Sequence, residues 1–509
     1  MTFNSSKPDS QHLARQAGQA VFWNYTSFGL GKAMVFLTTT ILARLLTPAD
    51  FGVMAFAVLA VNYLSILKDL GLGAALIQRR QNVEEAADTV FTLNLLLGST
   101  LTLLGIGVAP FIAAYFNEPL VTPILRLLSF SFVLNALSDT HIVRLQRELN
   151  FRRKLIPDIG YSIIKGVVSI GFALAGFGVW ALVIGQLVSA VATVILAWSV
   201  FPWRPRLTVR RDLAKTMLSF GLSMTGIQAL TTLIDNLDYL IVGRFFGNTA
   251  LGIYTLAYRL PELLVLNMLW VMAKVIFPTY AAVQDQPDTL RQGFLTVVRF
   301  VGMFTVPICL GLMLAAEPLV QVIFGEKWLA AIPVVRVLAL FALVSSIAFN
   351  VGDIYKAVGR TDILIKLGLV KLVLLVPALW YGAHFGLVGV AVGHVVVATV
   401  IMGLRLWVAT WFVQVKIEDI LRQLMPAFWG GLALTLLVLP TLYLTSAVLP
   451  VVRLLLVSMM GGLAYLAVLW LLEGKLLLKA GRLMGLPGLA SKSSAPSLAL
   501  RSARDVEVS

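Results

Sequence analysis

Two carboxylates, Asp235 and Asp238, stand in the stretch TTLIDNLDYLIVGRFFG (231–247), which is otherwise apolar enough to lie in a bilayer. Ionisable groups at such depth are costly, face protein interiors or water-filled cavities, and by default mark function. Gln228, Thr231, Asp235 and Asp238 follow one another at spacings of three and four, so they share one face of a helix. That face cannot be turned to lipid; it is expected to line a cavity or to pack on another part of the chain. Acids placed there could hold cavity cations, and could exchange partners or protons between two open states of a carrier. The structural alternative is a static pair that fixes helix packing.

Cations are present to match. Lys32, Arg126, Lys165, Lys274 and Arg336 all fall inside apolar runs, and basic residues outnumber acidic ones within those runs. An excess of buried cations favours an anionic substrate, since a carrier of cationic drugs would need the opposite balance. Counted back from Arg44 and Arg244, Lys32 and Asp235 differ in depth by about 4.5 Å at ~1.5 Å per residue, so a Lys32–Asp235 contact is geometrically open. Other charges have plainer readings. Arg259 and Glu262, three apart, form an ion pair on one helix; Lys68 with Asp69 snorkels at a helix end; Arg44 and Arg244 anchor at the interface. Aromatic residues such as Trp23, Trp180, Tyr239, Tyr254 and Tyr258 could stack on sugar rings, although packing and interfacial belts use most residues of this kind.

Other chemistries find no support. The sequence contains no G-x-x-x-x-G-K-[ST] string for nucleotide phosphates and no HExxH; it has four histidines and a single cysteine, Cys309. No cofactor is expected. The longest connection on the side away from the termini, roughly 318–329, is too short for a catalytic domain, so transport is the remaining class.

Helices in a membrane must position these residues. Of the 509 residues 59% are hydrophobic and 13% charged, with mean hydropathy +0.89, far from the soluble globular range. Apolar runs lie near 19–44, 51–72, 89–115, 120–141, 155–175, 180–202, 217–243, 251–283, 295–317, 330–351, 364–383, 388–411, 425–445 and 453–473, which predicts an all-α polytopic membrane protein of about fourteen transmembrane helices. Lys and Arg between these runs test the count. The side shared by both termini carries 27 of them, counting two at adjoining run ends (Arg299 and Lys366), whereas the opposite side has Arg244 and Lys327 only. By the positive-inside rule both termini are expected in the cytoplasm, and the net charge of +15 is a topological label that gives no reason to expect nucleic acid as a partner. The Ser/Ala-rich tail from about Ser491 reads as disordered.

The chain also repeats itself. ILARLLTPADFGVMAFA (41–57) aligns with IVGRFFGNTALGIYTLA (241–257), with Ile41/Ile241, Arg44/Arg244, Gly52/Gly252 and Ala57/Ala257 identical. FGVWALVIGQLV (177–188) aligns likewise with FGLVGVAVGHVV (385–396). Six helices per repeat is an even number, so the halves share one orientation and are expected to form two parallel bundles around a central cavity. The expected division is a first bundle over 1–202, a second over 203–411, two extra helices over 412–474, and a tail over 475–509.

The run LIDNLDYLIVGRFFGNTALGIYTLAYRLPEL, with its first-half counterpart TTILARLLTPADFGVMAFAVL, resembles the polysaccharide-transport branch of the multidrug/oligosaccharidyl-lipid/polysaccharide flippase superfamily, near the exporters for O-antigen, colanic acid and teichuronic acid. The resemblance implies a flippase of the bacterial inner membrane that carries undecaprenyl-diphosphate-linked oligosaccharide repeat units to the periplasmic leaflet by alternating access, with a polymerase and export machinery as possible partners. For a diphosphate, Lys32, Lys165 and Lys274 are the first candidate ligands, with Arg126 and Arg336 next. A lipid II flippase and a cation-coupled drug exporter using Asp235 and Asp238 directly are the alternatives within the superfamily; a structural scaffold for polymer export is the alternative outside transport.

Overall fold

The computed structural model describes residues 10–68 and 70–483; Asp69 and the tail beyond 483 lie outside the described residues. Every regular element among these is helical. The first half runs α1 (Ser10–Leu45), α2 (Pro48–Ser65), the short α3 (Leu72–Gln78), α4 (Val83–Phe116), α5 (Val121–Arg147), α6 (Phe151–Leu174) and α7 (Val179–Val200). The second runs α8 (Arg211–Pro261), a π-turn (Glu262–Leu266), α9 (Asn267–Ala282), α10 (Pro287–Leu314), α11 (Ala316–Ile323), a 3₁₀ segment (Glu326–Ala331), α12 (Ile332–Ile347), α13 (Val351–Ala357), α14 (Thr361–Ala383) and α15 (Gly386–Val413). Two more follow, α16 (Ile417–Leu444) and α17 (Pro450–Leu483).

Thirteen helical stretches among the described residues are long and apolar enough to cross a membrane. One of them, Gln228–Ala282, has 55 residues, far too many for a single crossing of a ~30 Å core. It breaks at Gly247, where φ 77° and ψ −168° are open essentially to glycine alone. The stretch therefore has the length of two crossings, which makes fourteen among the described residues. The repeat-equivalent turn in the first half uses different means: Thr47 caps α2 through a reciprocal bond with Asp50, and Pro48 begins the helix. The helix expected over 51–72 stops at Ser65. Beyond it Lys68 does not merely snorkel, since its ammonium lies 2.6 Å from Asp139 of α5.

α1 and α4–α7 pack mainly on one another, and α12, α14 and α15 do so in the second half, joined by α10; α16 and α17 pack together and lean on α10. The two groups meet along α2 and α8. At the face bearing the α1–α2 turn and Gly247, one hydrophobic core runs through both halves, from Phe56, Val121 and Leu125 to Trp328, Leu338 and Leu379. At the opposite face, rich in Lys and Arg, the halves keep separate cores: Leu72, Leu76 and Val90 in one, Tyr280, Phe294 and Tyr355 in the other. The molecule is fused at its tight-turn face and divided at its basic face.

The fusion is reciprocal. A Cβ on Gly52 would lie 1.7 Å from the carbonyl oxygen of Asn248, and one on Gly252 would lie 1.9 Å from that of Pro48. Pro48 and Asn248 are themselves repeat partners, so the same contact is made in both directions, as across a two-fold axis. The second aligned pair, Gly185 and Gly393, gives close helix contact inside each half, against Ser169 of α6 and Ala378 of α14.

Candidate functional site

Polar bonds reinforce the seal at the tight-turn face. Trp328, fully buried, donates its indole N–H to the carbonyl oxygen of Ala43 at 2.8 Å and packs edge-on against Phe51 at 5.3 Å between ring centroids. Arg44, expected only to anchor α1 at the interface, donates across the halves to the carbonyl oxygens of Val322 and Ile323 at the end of α11, where a cation also complements the helix dipole. Lys327 returns a bond to the Arg44 carbonyl oxygen at 3.3 Å. The repeat partner Arg244 does the mirrored thing, with its guanidinium 5.5 Å from the ring centroid of Tyr115 at the end of α4. Asn248 donates to Glu118 at 2.7 Å. Deeper in the seam Asn62 of α2 donates to Asn236 of α8 at 3.4 Å.

Towards the basic face the shared core ends, but side chains of the two halves still approach one another. α1 packs chiefly on α6 and reaches the second half through its side chains. Phe28 of α1 lies under two ammonium groups: Lys32 of its own helix at 5.5 Å and Lys274 of α9 at 5.8 Å from the ring centroid. Cations from the two halves thus share one aromatic ring. Glu262 and Arg259, paired at 3.1 Å as their spacing implies, exert their charges on Lys32. Lys165 lies half-buried over Tyr161 of its own helix, 5.7 Å from the ring, and is not brought onto Phe28. Arg126 and Arg336 are exposed on α5 and α12, and Arg126 lies one turn from the exposed Phe130.

The polar stripe of α8 divides. Gln228 and Asp235 are exposed and Thr231 is half-buried, whereas Asp238 turns into the second half and is 1% exposed. Three residues turn a helix by about 300°, and that 60° shortfall is enough to separate Asp235 from Asp238. Asp238 accepts from the Tyr254 hydroxyl at 3.0 Å and from the Tyr239 backbone N–H at 2.9 Å, with His394 Nε2 3.5 Å away. A carboxylate so enclosed is tolerable only because these donors replace water. The Lys32–Asp235 contact is not made among the described residues: Asp235 lies within range of the Lys371 charge on α14, and Lys32 within range of Glu262. Depth along the helices allowed the pairing, but the azimuth of α1 directs Lys32 towards α9. His394, Trp328 and Phe28 carried no sequence signal of their own; only GHVV within the second aligned repeat placed His394 opposite Gln186, which binds the Tyr161 hydroxyl at 3.0 Å.

Residues 41–333 match the family model described as polysaccharide biosynthesis protein. The chain is 28% identical over 435 residues to the lipopolysaccharide biosynthesis protein WzxC of Escherichia coli, covering 82% of this chain and 84% of that one. It is 27% identical to the succinoglycan biosynthesis transport protein ExoT of Rhizobium meliloti, over 74% of this chain and 76% of the other. Among solved structures it resembles the lipid II flippase MurJ in an inward closed conformation, with TM-score 0.69, 14% identity, and coverage of 89% and 99%; at that identity the likeness speaks for the fold. With the matched segment running from the end of α1 through the sealing Trp328, this multi-pass membrane chain belongs to the polysaccharide biosynthesis protein family.

Proposed function

We propose that the protein is a flippase, not an enzyme, which moves a polyprenyl-diphosphate-linked oligosaccharide across the bacterial inner membrane by alternating access, for exopolysaccharide, capsule or O-antigen assembly. The observation that carries this reading is that Lys32 and Lys274, from opposite halves, share the Phe28 ring between bundles that have one common core at one face and separate cores at the other. A diphosphate bridging the two ammonium groups ties the halves together through the substrate itself, and the Phe28 ring offers a face for a sugar. The positive-inside rule puts the basic face, and both termini, in the cytoplasm, so the cleft opens where such a lipid is made. The domain division is taken as 1–202, 203–411 and 412–474, with the aligned repeats and the packing groups in its support. A transport reading also fits the names of the relatives, one a succinoglycan transport protein and one fold neighbour a lipid II flippase. Gln228, Thr231 and Asp235 lie on the cleft side of α8 and tune its charge, while Asp238 acts as a packing and gating element. Lys165, Arg126 and Arg336 have secondary parts in this scheme.

The test is translocation of a fluorescent polyprenyl-diphosphate oligosaccharide in proteoliposomes. Wild type should flip it, and Lys32→Ala or Lys274→Ala should slow flipping roughly tenfold to a hundredfold, as the loss of one charge-assisted contact would. Efflux of a cationic dye without any lipid translocation would replace this reading with that of a cation-coupled drug exporter.

A further inference from the structure

Where α6 begins, a pocket of about 530 Å³ opens at the basic face between α1 and α6, within the size range of small-ligand sites. Trp23, Leu155 and Ile156 form its apolar wall, and Asn150, Arg152 and Arg153 its polar one. Both arginines are exposed, and neither has an ion-pair partner among the described residues, while the next cation, Lys154, is taken by Asp158 at 2.6 Å. Below the pocket the same face of α6 continues as an exposed apolar stripe: Ile156, Ile163, Val167 and Leu174. Their spacings of seven, four and seven keep them within about 20° of one line, and the stripe is about 27 Å long, close to the thickness of the hydrocarbon core. The stripe is lipid-facing by length and polarity, and the pocket therefore sits at headgroup level with two cations at the head of an acyl track.

We propose that this pocket holds the headgroup of an anionic phospholipid of the bilayer, with its phosphate on Arg152 and Arg153, its glycerol against Trp23, and an acyl chain along Ile156 and Ile163. Charge complementarity names the headgroup, and continuity with the stripe names a lipid as its source. The site has a structural purpose as well. α1 carries Phe28 and Lys32, yet packs chiefly on α6; a lipid wedged at the α1–α6 junction steadies the helix that presents the cleft.

The experiment is native mass spectrometry of the purified full chain, delipidated and titrated with phosphatidylglycerol, phosphatidylcholine or undecaprenyl phosphate. Phosphatidylglycerol should be retained at least tenfold better than phosphatidylcholine, and the double variant R152Q/R153Q should lose roughly tenfold to thirtyfold of that retention, at ~1 kcal/mol per arginine near a headgroup. Trp23→Leu, which leaves the charges in place, should lower retention as well. Equal retention of the two phospholipids overturns the proposal, as does an equal loss in R204Q/R206Q, exposed arginines of the same face outside the pocket, which would mean diffuse attraction. Stronger binding of undecaprenyl phosphate than of phosphatidylglycerol overturns it too, making the pocket a docking point for a polyprenyl carrier. None of these readouts depends on translocation, so the flippase reading stands or falls separately.

Discussion

Gly52 and Gly252 occupy equivalent positions of the two repeats and pack backbone on backbone, each leaving no room for a Cβ before the carbonyl oxygen of the other repeat. An isologous contact of this sort lets two bundles rock about one point while remaining in touch, which is what alternation around a central cleft requires.

Gly52→Ala and Gly252→Ala should each lower stability by about 1–3 kcal/mol or more through overpacking against backbone that cannot yield. The double variant should cost less than the sum, because both changes pry apart the same contact. Gly107→Ala, with open space where its Cβ would go, should be neutral or mildly stabilising. Thermal unfolding in detergent checks all four proteins.

Trp328 tests the seal. Trp328→Phe removes the bond to the Ala43 carbonyl and should cost about 1 kcal/mol, whereas Trp328→Ala should cost about 3–5 kcal/mol. With the seal weakened, a cysteine placed at the buried Ala43 in a Cys309→Ala background should react with an impermeant maleimide several-fold faster than in the intact protein. Unchanged labelling would mean that the tight-turn face stays closed without the tryptophan.

Asp235 and Lys371 lie within range of each other's charge, whereas the Lys32–Asp235 contact that helix depth left open is not made. Lys371→Gln and Asp235→Asn should each impair translocation, and the double variant should recover part of the loss, with a coupling of about 0.5–3 kcal/mol. A cycle pairing Lys32→Ala with Asp235→Asn should be additive. Coupling in that second cycle, measured as flipping rate in proteoliposomes, would restore the contact across the cleft in some other state of the protein.

Tyr254→Phe strips a donor from the buried Asp238 and should destabilise the fold by about 1–3 kcal/mol. Tyr258→Phe, whose hydroxyl makes no bond to that carboxylate, should cost less. Unfolding of the two variants side by side distinguishes a satisfied network from generic aromatic packing.

Sequence alone determined that this chain lives in a membrane as about fourteen helices, because ~20-residue apolar runs and alternating Lys/Arg are imposed by the bilayer before any tertiary contact forms. The aligned Gly52 and Gly252 were legible as a repeat, and Arg259 with Glu262 as a pair, since spacing on one helix fixes which side chains meet. Spacing along one helix says nothing of azimuth between helices. For that reason Lys32 and Lys274 were both legible as cations within apolar runs but their approach to one Phe28 ring was not, and Asp235 and Asp238, neighbours on one stripe, part company once α8 is set against α14 and α15. Lys371 in range of Asp235, His394 beside Asp238 and Trp328 under Ala43 come together from segments over a hundred residues apart, the first two by packing within the second half and the third by packing between the halves, and that packing is a property of the folded chain which local pattern does not encode.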